Sequence, residues 1–536
     1  MFQEWRGQTL PGIVDHGART WPDRTAILDG NARISYAELS SRVDRCTAAL
    51  HRLGVKRGDH IGYLMGADSR WLEVFFAACR LRAVVVPFNL TWTGDEIAQG
   101  IRLTDSSVLL FAPEHRGESL AERVVPLLAR REAVPTLRSL AVTQGASVAG
   151  QYGSLSELAE RSGNDVNDGE PNGPCRPDDV VMLMLTSGST SFPKPAIHVH
   201  ETILCGAASY ADGLEARAED TLLHCTPNYH VGGILTACLA LMRGATLRVM
   251  PAFDPDEAMR FIEADRVTLF WGFDTHFLMM KSAPSYGTRD LSSISRTMLG
   301  ANPATFDKVR EMGFSHLGSL YGSTEYMGSQ TYFPYRDRHD FERMRASNGR
   351  PTSGEIRIAD PETGAWLAPA EMGEICVRGP ALFKGYYKLP EQTAQCIDSE
   401  GFFHSGDLGF LDADGYLYFR GRIKEMVKSG GENVSALEVE TFLMSEIPGV
   451  ERAMICGTPH EKWGEAVTAV VQVAAGTACT AEDIVERCRG RLAGYKIPKR
   501  VVFFGASDWK VTPTGKLDRK AATSLACARL GLPGTL

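Results

Sequence analysis

The sequence predicts an α/β protein, with parallel sheets layered with helices in a large amino-terminal part, then a β-rich segment, then a small α+β unit. Three observations predict this. Up to about residue 340, short apolar β-type runs alternate with stretches of helical spacing, the rhythm of strand–helix–strand units. Beyond Glu371 the pattern turns β-rich, with turns expected at Gly379, Gly406 and Gly415. The 536 residues exceed what one core organises, and a fresh set of helix and strand patterns begins near Lys424.

In chain order, residues 36–53 have helical spacing and 83–87 read as a buried strand ending in a turn. Residues 96–103 are helical again, and 107–111 form a second strand. Residues 163–178, rich in Gly, Asn, Asp and Pro, read as an exposed loop. The almost continuous apolar run 179–185 has the pattern of a strand buried on both faces. In the terminal unit, 436–445 and 481–492 read as helices, and 453–456 and 469–473 as strands. The expected domains are 1–423 and 424–536. Asp412-Ala-Asp-Gly-Tyr416 has Ile423 instead of glutamate at its twelfth position, and reads as a turn, not a calcium loop.

Hydrophobic content of 44% and charged content of 23% are those of a globular protein. A formal charge of −8 argues against a general role on nucleic acid or membrane surfaces, which call for basic patches. No apolar run approaches the ~20 residues of a membrane-spanning helix: 74–88 is interrupted by Arg80 and Arg82. The start MFQEWRGQTL lacks the pattern of a signal peptide, so the expected location is cytoplasmic. The 12 cysteines are scattered, with no CxxC pair, and read as reduced thiols with neither disulfides nor zinc.

The apolar strand runs directly into Thr186, Ser187, Gly188, Ser189, Thr190, Ser191, Phe192, Pro193 and Lys194. Hydroxyls and backbone N–H groups donate to phosphate oxygens, Gly188 permits close approach, and Lys194 adds a full charge. The pattern GxxxxGK[ST] is absent, so this is not that NTPase loop. Taken alone, the segment also suits a solvated Ser/Thr connection.

The segment resembles the signature loop of the adenylate-forming superfamily, which includes acyl-CoA synthetases, luciferases and peptide-synthetase adenylation domains. That loop usually reads TSG[ST]TGxPKG; Ser191 and Pro195 replace its two later glycines and should stiffen it. Further segments are similar to the family's in the same order. Tyr229 and His230, in Pro227-Asn-Tyr-His230, correspond to the segment that gates the acyl pocket. Gly300, Ala301 and Asn302 correspond to the loop against adenine. Tyr321, Gly322, Ser323, Thr324 and Glu325 match YGxTE, with the tyrosine on adenine, the threonine at the α-phosphate and the glutamate on Mg2+. Asp407, in Ser405-Gly406-Asp407, corresponds to the carboxylate that accepts from the ribose hydroxyls. The run 421–434 resembles the family's domain junction, with Arg422 at the ribose, Lys424 as hinge, and Gly430 and Gly431 on the coenzyme A path. Lys516, in Pro513-Thr-Gly-Lys516 completed by Arg519, corresponds to the lysine that neutralises charge at the α-phosphate.

The resemblance covers about residues 10–520 and implies an ATP-dependent acid–thiol ligase, closest to acyl- or aryl-CoA ligases. ATP and coenzyme A would be co-substrates, Mg2+ the metal, and a small carboxylic acid the acyl donor, with Lys516, Thr324 and His230 as catalytic residues and the terminal domain mobile. Three alternatives stay open: loading onto a carrier-protein phosphopantetheine, a luciferase-like oxygenase, and a non-catalytic nucleotide-binding regulator. An amino-acid-activating domain fits less well, because Asn228-Tyr-His-Val lacks the aspartate that would meet the substrate ammonium. Tyr229, Trp271, Phe273 and Met298 suggest an apolar, aromatic-lined acyl pocket, although each also suits plain core. Asp274, where relatives carry proline, either reads a polar group on the acid or caps a turn.

Overall fold

The apolar runs of the amino-terminal part become strands of two mainly parallel sheets in the structure, a computed structural model. It describes residues 2–160, 173–186, 193–299, 303–328, 330–430, 432–510 and 517–533. Among them, one sheet has seven strands in the order Pro195–Val199, Val180–Leu185, Val84–Pro87, His60–Leu64, Val108–Phe111, Ser139–Val142 and Gly153–Ser154. All its neighbours run parallel except the first pair, which is antiparallel. The other sheet has a parallel centre of Thr246–Val249, Thr221–His224, Leu269–Gly272, Arg296–Leu299 and Leu317–Tyr321.

Burial on both faces explains the unbroken apolar runs: every residue of Val84–Pro87, Val108–Phe111 and Leu269–Gly272 is buried. The largest apolar cluster joins Ile61, Val85 and Met182 of one sheet to Leu222, Leu247 and Leu269 of the other, through helices carrying Phe75, Ile203 and Leu239. The expected helix at 36–53 spans Tyr36–Arg52, started by Ser35 Oγ accepting from Glu38 N. The helix expected at 96–103 spans Gly94–Thr104 and opens with a capping box between Thr93 and Glu96.

The β-rich segment is a four-stranded antiparallel sheet of Glu355–Ala359, Gly373–Arg378, Phe403–Leu411 and Leu417–Arg422. The turn expected at Gly406 is instead a bulge within one continuous strand. Cys376 pairs with His404 while Glu374 pairs with Leu408, and Gly406 sits in the left-handed region at φ +70°. The expected turn at Gly415 is present, with Asp412 Oδ1 accepting from Asp414 N and Tyr416 N.

The terminal part has its own five-stranded sheet: Glu432–Val434, Val427–Ser429, Gly464–Val473 and Val450–His460, with Arg500–Phe503 beside Gly464–Val473. An apolar cluster drawn wholly from Val427 onward packs this sheet against Ala436–Glu446 and Ala481–Cys488. The second helix is shorter than the expected 481–492, because Arg491 N and Leu492 N turn back onto Cys488 O. All 12 cysteines are free, and no helix among the described residues is long and apolar enough to cross a membrane.

Charge is also buried between the strands. Arg296, 7% exposed, donates to Asp220, 4% exposed, and to the carbonyl of Glu215 at 2.8 Å. Thr268 Oγ1 donates to the same Asp220 oxygen at 2.7 Å. Removing one partner would strand the other in apolar surroundings. Asp220→Ala should therefore lower stability by about 3–5 kcal/mol, read from the denaturant midpoint. Thr268→Val, which keeps both charges, should cost about 1–2 kcal/mol.

Candidate functional site

The segment between the strands Val180–Leu185 and Pro195–Val199 leaves and re-enters the sheet at one neck. Leu185 pairs with Pro195, Thr186 N donates to Lys194 O at 3.0 Å, and Lys194 N donates to Thr186 Oγ1 at 3.2 Å. Ser187, Gly188, Ser189, Thr190 and Ser191 lie outside the described residues, as do Gly300, Ala301, Asn302, Gly431 and Lys516. Pro195 is tolerated because its strand is the edge of the sheet. That edge is covered by the segment 384–387: Lys384 N donates to Ile197 O, Ile197 N to Gly385 O, and Tyr387 N to Pro195 O.

This covering segment delivers Tyr386, which motif spacing did not reveal. Its hydroxyl donates to Glu325 Oε1 at 2.7 Å, and the ammonium of Lys194 lies 4.7 Å from its ring centroid. One side chain thus links the lysine of the loop to the carboxylate of the Tyr321–Glu325 segment. An ionised carboxylate has about four acceptor directions, so Glu325 can accept from Tyr386 and still offer oxygen to a hard cation. The donor set fits Mg2+ in this respect.

Tyr321 ends the strand Leu317–Tyr321, and the chain turns through Gly322 and Ser323 into the 3-10 turn Thr324–Tyr326. A Cβ on Gly322 would lie 2.1 Å from the carbonyl oxygen of Gly328, so only glycine fits this close approach. Gly328 N donates to Ser323 O at 2.7 Å and closes the turn. Behind it, buried His198 meets the backbone of Thr324; burial lowers its pKa to about 4, so the ring is neutral.

The most heavily buried acid of the group is Asp407, 4% exposed. Tyr321 donates to its Oδ2 at 2.7 Å, and Arg422 Nε lies 3.0 Å from Oδ1, the two residues being register partners on adjacent strands. Burial raises the carboxyl pKa; Arg422 and the tyrosine hydroxyl oppose the rise, and the charges of Glu425 and Glu325 add to it. The ring of Tyr321 leans on Phe419, with centroids 5.6 Å apart.

Tyr229 and His230 have ring centroids 4.7 Å apart, just before the helix Val231–Arg243. Trp271 and Met298, 5% and 1% exposed, sit in the largest apolar cluster, and Trp271 packs on Tyr210 with centroids 5.1 Å apart. Phe273 is 43% exposed, and Asp274 begins the helix Asp274–Ser282.

At the junction, Lys424 occupies the 3-10 turn Ile423–Glu425. Burial, then Arg422, lowers its pKa, despite Glu425 and Asp407. Gly430 N donates to Trp463 O at 2.9 Å. Arg519 is anchored twice over: its Nη2 donates to Glu440 Oε1 at 2.7 Å and to Ile455 O at 2.8 Å, and its Nε lies 3.7 Å from Glu425. Arg519 is thereby tied to both the helix Ala436–Glu446 and the junction turn. Tyr386 carries no local motif that would single it out, whereas Glu425 lies within the junction run 421–434.

Residues 14–387 match the family model described as AMP-binding enzyme, and 438–516 match AMP-binding enzyme C-terminal domain. A feruloyl-CoA synthase from Amycolatopsis sp is 34% identical over 503 residues, spanning 93% of this chain and 95% of that protein. An indoleacetate–CoA ligase from Aromatoleum aromaticum is 33% identical over 497 residues, 91% and 93% of the two chains. ATP-bound MatB from Rhodopseudomonas palustris superposes with a TM-score of 0.81 at 26% identity, over 95% of this chain and 97% of that one.

Because Tyr386 joins Lys194 to Glu325, Tyr386→Phe should weaken ATP binding by about tenfold, the loss of one charge-assisted bond, when Mg2+ is present. Without Mg2+ the change should be smaller. Calorimetric titration under both conditions checks this, with thermal melting as the folding control.

Proposed function

The chain belongs to the AMP-binding enzyme family, and we propose that its substrate is an aryl-substituted carboxylic acid. It is an acid–thiol ligase of the acyl- and aryl-CoA ligase group, working through an acyl-AMP intermediate, with ATP and coenzyme A as co-substrates. A carboxylate oxygen attacks the α-phosphorus of ATP and pyrophosphate leaves. The thiol of coenzyme A then attacks the acyl carbon and AMP departs, so the overall products are the thioester, AMP and pyrophosphate.

The nucleotide part of the site reading is carried by the contact chain from Lys194 through Tyr386 to Glu325, beside buried Asp407 on Tyr321. In this reading, Thr186, Ser187, Gly188, Ser189, Thr190 and Lys194 hold the β- and γ-phosphates. Tyr321 covers adenine with Gly300, Ala301 and Asn302, while Asp407 and Arg422 hold the ribose. Thr324 and Lys516 face the α-phosphate. Glu325 is the residue that would hold Mg2+, which when bound neutralises phosphate charge. These groups position the reactants and stabilise charge, which is most of what such a displacement requires.

The second half-reaction needs Lys516 out of the way and the Gly430–Gly431 face brought in. We assign residues 424–536 as the domain that swings and Lys424 as the pivot. The separate sheet and core beyond Val427 support such a rigid-body movement.

The aryl preference rests on ring surfaces: the Tyr229–His230 pair and the exposed ring of Phe273. Similarity to feruloyl-CoA and indoleacetate ligases points the same way.

Pyrophosphate release with cinnamate-type, arylacetic, benzoic and straight-chain acids tests it. The best aryl acid should exceed the best straight-chain acid by at least about tenfold in kcat/KM; equal values would remove the aryl assignment. A separate test concerns Lys516. Lys516→Ala should slow adenylate formation by about a hundredfold or more, yet leave thioester formation from presynthesised acyl-adenylate largely intact. Equal loss of both half-reactions would argue against alternating domain positions.

A further inference from the structure

The bulge that presents Asp407 is held by a charged relay behind it. His404 lies between two carboxylates: Nδ1 is 2.8 Å from Glu374 Oε2, and Nε2 is 3.3 Å from Asp398 Oδ2. Ionised carboxylates only accept, so the ring can bond to both at once only as an imidazolium. Burial alone would lower the His404 pKa, but hydrogen bonds and charge from Glu374 and Asp398 outweigh it and raise the value. The other oxygen of Glu374 accepts from Gly406 N at 2.8 Å. Ser405 Oγ donates to Ile375 O at 2.6 Å and accepts from Asp407 N at 3.1 Å. The Ser405-Gly406 bulge is thus tied to the strand Gly373–Arg378 through Ile375 O and Glu374, and Glu374 leads on to His404.

We propose that His404 is a positioning residue for nucleotide binding: as an imidazolium clamped between Glu374 and Asp398, it fixes the Gly406 bulge and so aims Asp407 at the ribose. Asp398 extends the relay outward, since its Oδ1 also accepts from Glu400 N and Phe402 N. The ligand atoms of Glu374, Cys376 and His404 lie within 4.8 Å of one another, a grouping that could hold a metal ion. The hydrogen-bond reading fits better. Each ring nitrogen already faces a carboxylate, Glu374 is shared with a backbone donor, and burial holds the Cys376 thiol protonated.

The inference rests on the reading of Asp407 as the ribose carboxylate, and the experiment separates the two. In His404→Gln both amide donors sit on one nitrogen, so the side chain cannot span the two carboxylates as the ring does, and it carries no charge. The KM for ATP should rise about tenfold, as for the loss of one charge-assisted bond, with kcat changed by less than about twofold. Discrimination between ATP and 2′-deoxy-ATP should shrink in step. In an Asp407→Ala background the same change should have almost no further effect on KM, because the two residues act as one unit. Glu374→Gln is the second variant, for use should His404→Gln fold poorly, and should give the same pattern.

An unchanged KM in folded His404→Gln overturns the inference, and so does an equal rise on the Asp407→Ala background. Stoichiometric zinc in the wild type that is lost from His404→Gln would also overturn it, in favour of a metal site. If Asp407→Ala itself leaves the KM for ATP and the deoxy discrimination unchanged, the ribose assignment fails first.

Discussion

A carboxylate taken out of water must be given partners or give up its charge, and this requirement, met at Asp407, ties three bodies of the protein together. Tyr321 comes from the end of a strand in the larger parallel sheet, Asp407 from the antiparallel sheet, and Arg422 from the strand that leads into the terminal part. The tyrosine hydroxyl supplies the hydrogen bond to Oδ2, and the half-exposed Arg422 supplies charge beside Oδ1. The bulge at Gly406 follows from the same need, since a regular strand would turn the residue after Gly406 elsewhere. The most constrained acid therefore stands where sheet, β-rich layer and junction meet.

The same logic of bridging polar contacts joins the phosphate-loop neck to the rest. The edge strand Pro195–Val199 is covered by backbone bonds from 384–387. Tyr386 and Tyr387 of that segment then reach in opposite directions, to Glu325 and to Asp105. An open sheet edge is thereby closed by the element that also orients the metal-binding candidate, so edge protection and site assembly come from one segment.

Beyond the junction the forces are organised differently. The terminal part has its own apolar cluster, and the contact of its Arg519 to Glu425 is charged and partly exposed. Charged, hydrated contacts reform at modest cost in a new orientation, whereas an apolar interface would resist separation. Arg519 is held within that unit by Glu440 and Ile455 O.

Much of this was legible in residue order. Runs such as 179–185 and 83–87 announce parallel strands because burial on both faces removes polar alternation, and the restart near Lys424 announces a second unit because one core cannot serve so long a chain. Family-like segments named Asp407, Tyr321, Glu325 and Arg422 because each motif is local. The sequence did not reveal Tyr386 as the link between Lys194 and Glu325, or Gly406 as a bulge and not a turn, or the clamp of His404 between Glu374 and Asp398. Those partners stand 61, 30 and 6 residues apart, and nothing in local pattern says which side chains will share a buried charge. Local sequence determined the elements and the chemistry on offer; only the tertiary structure decided which polar groups were left to satisfy one another, because that depends on what each is buried against.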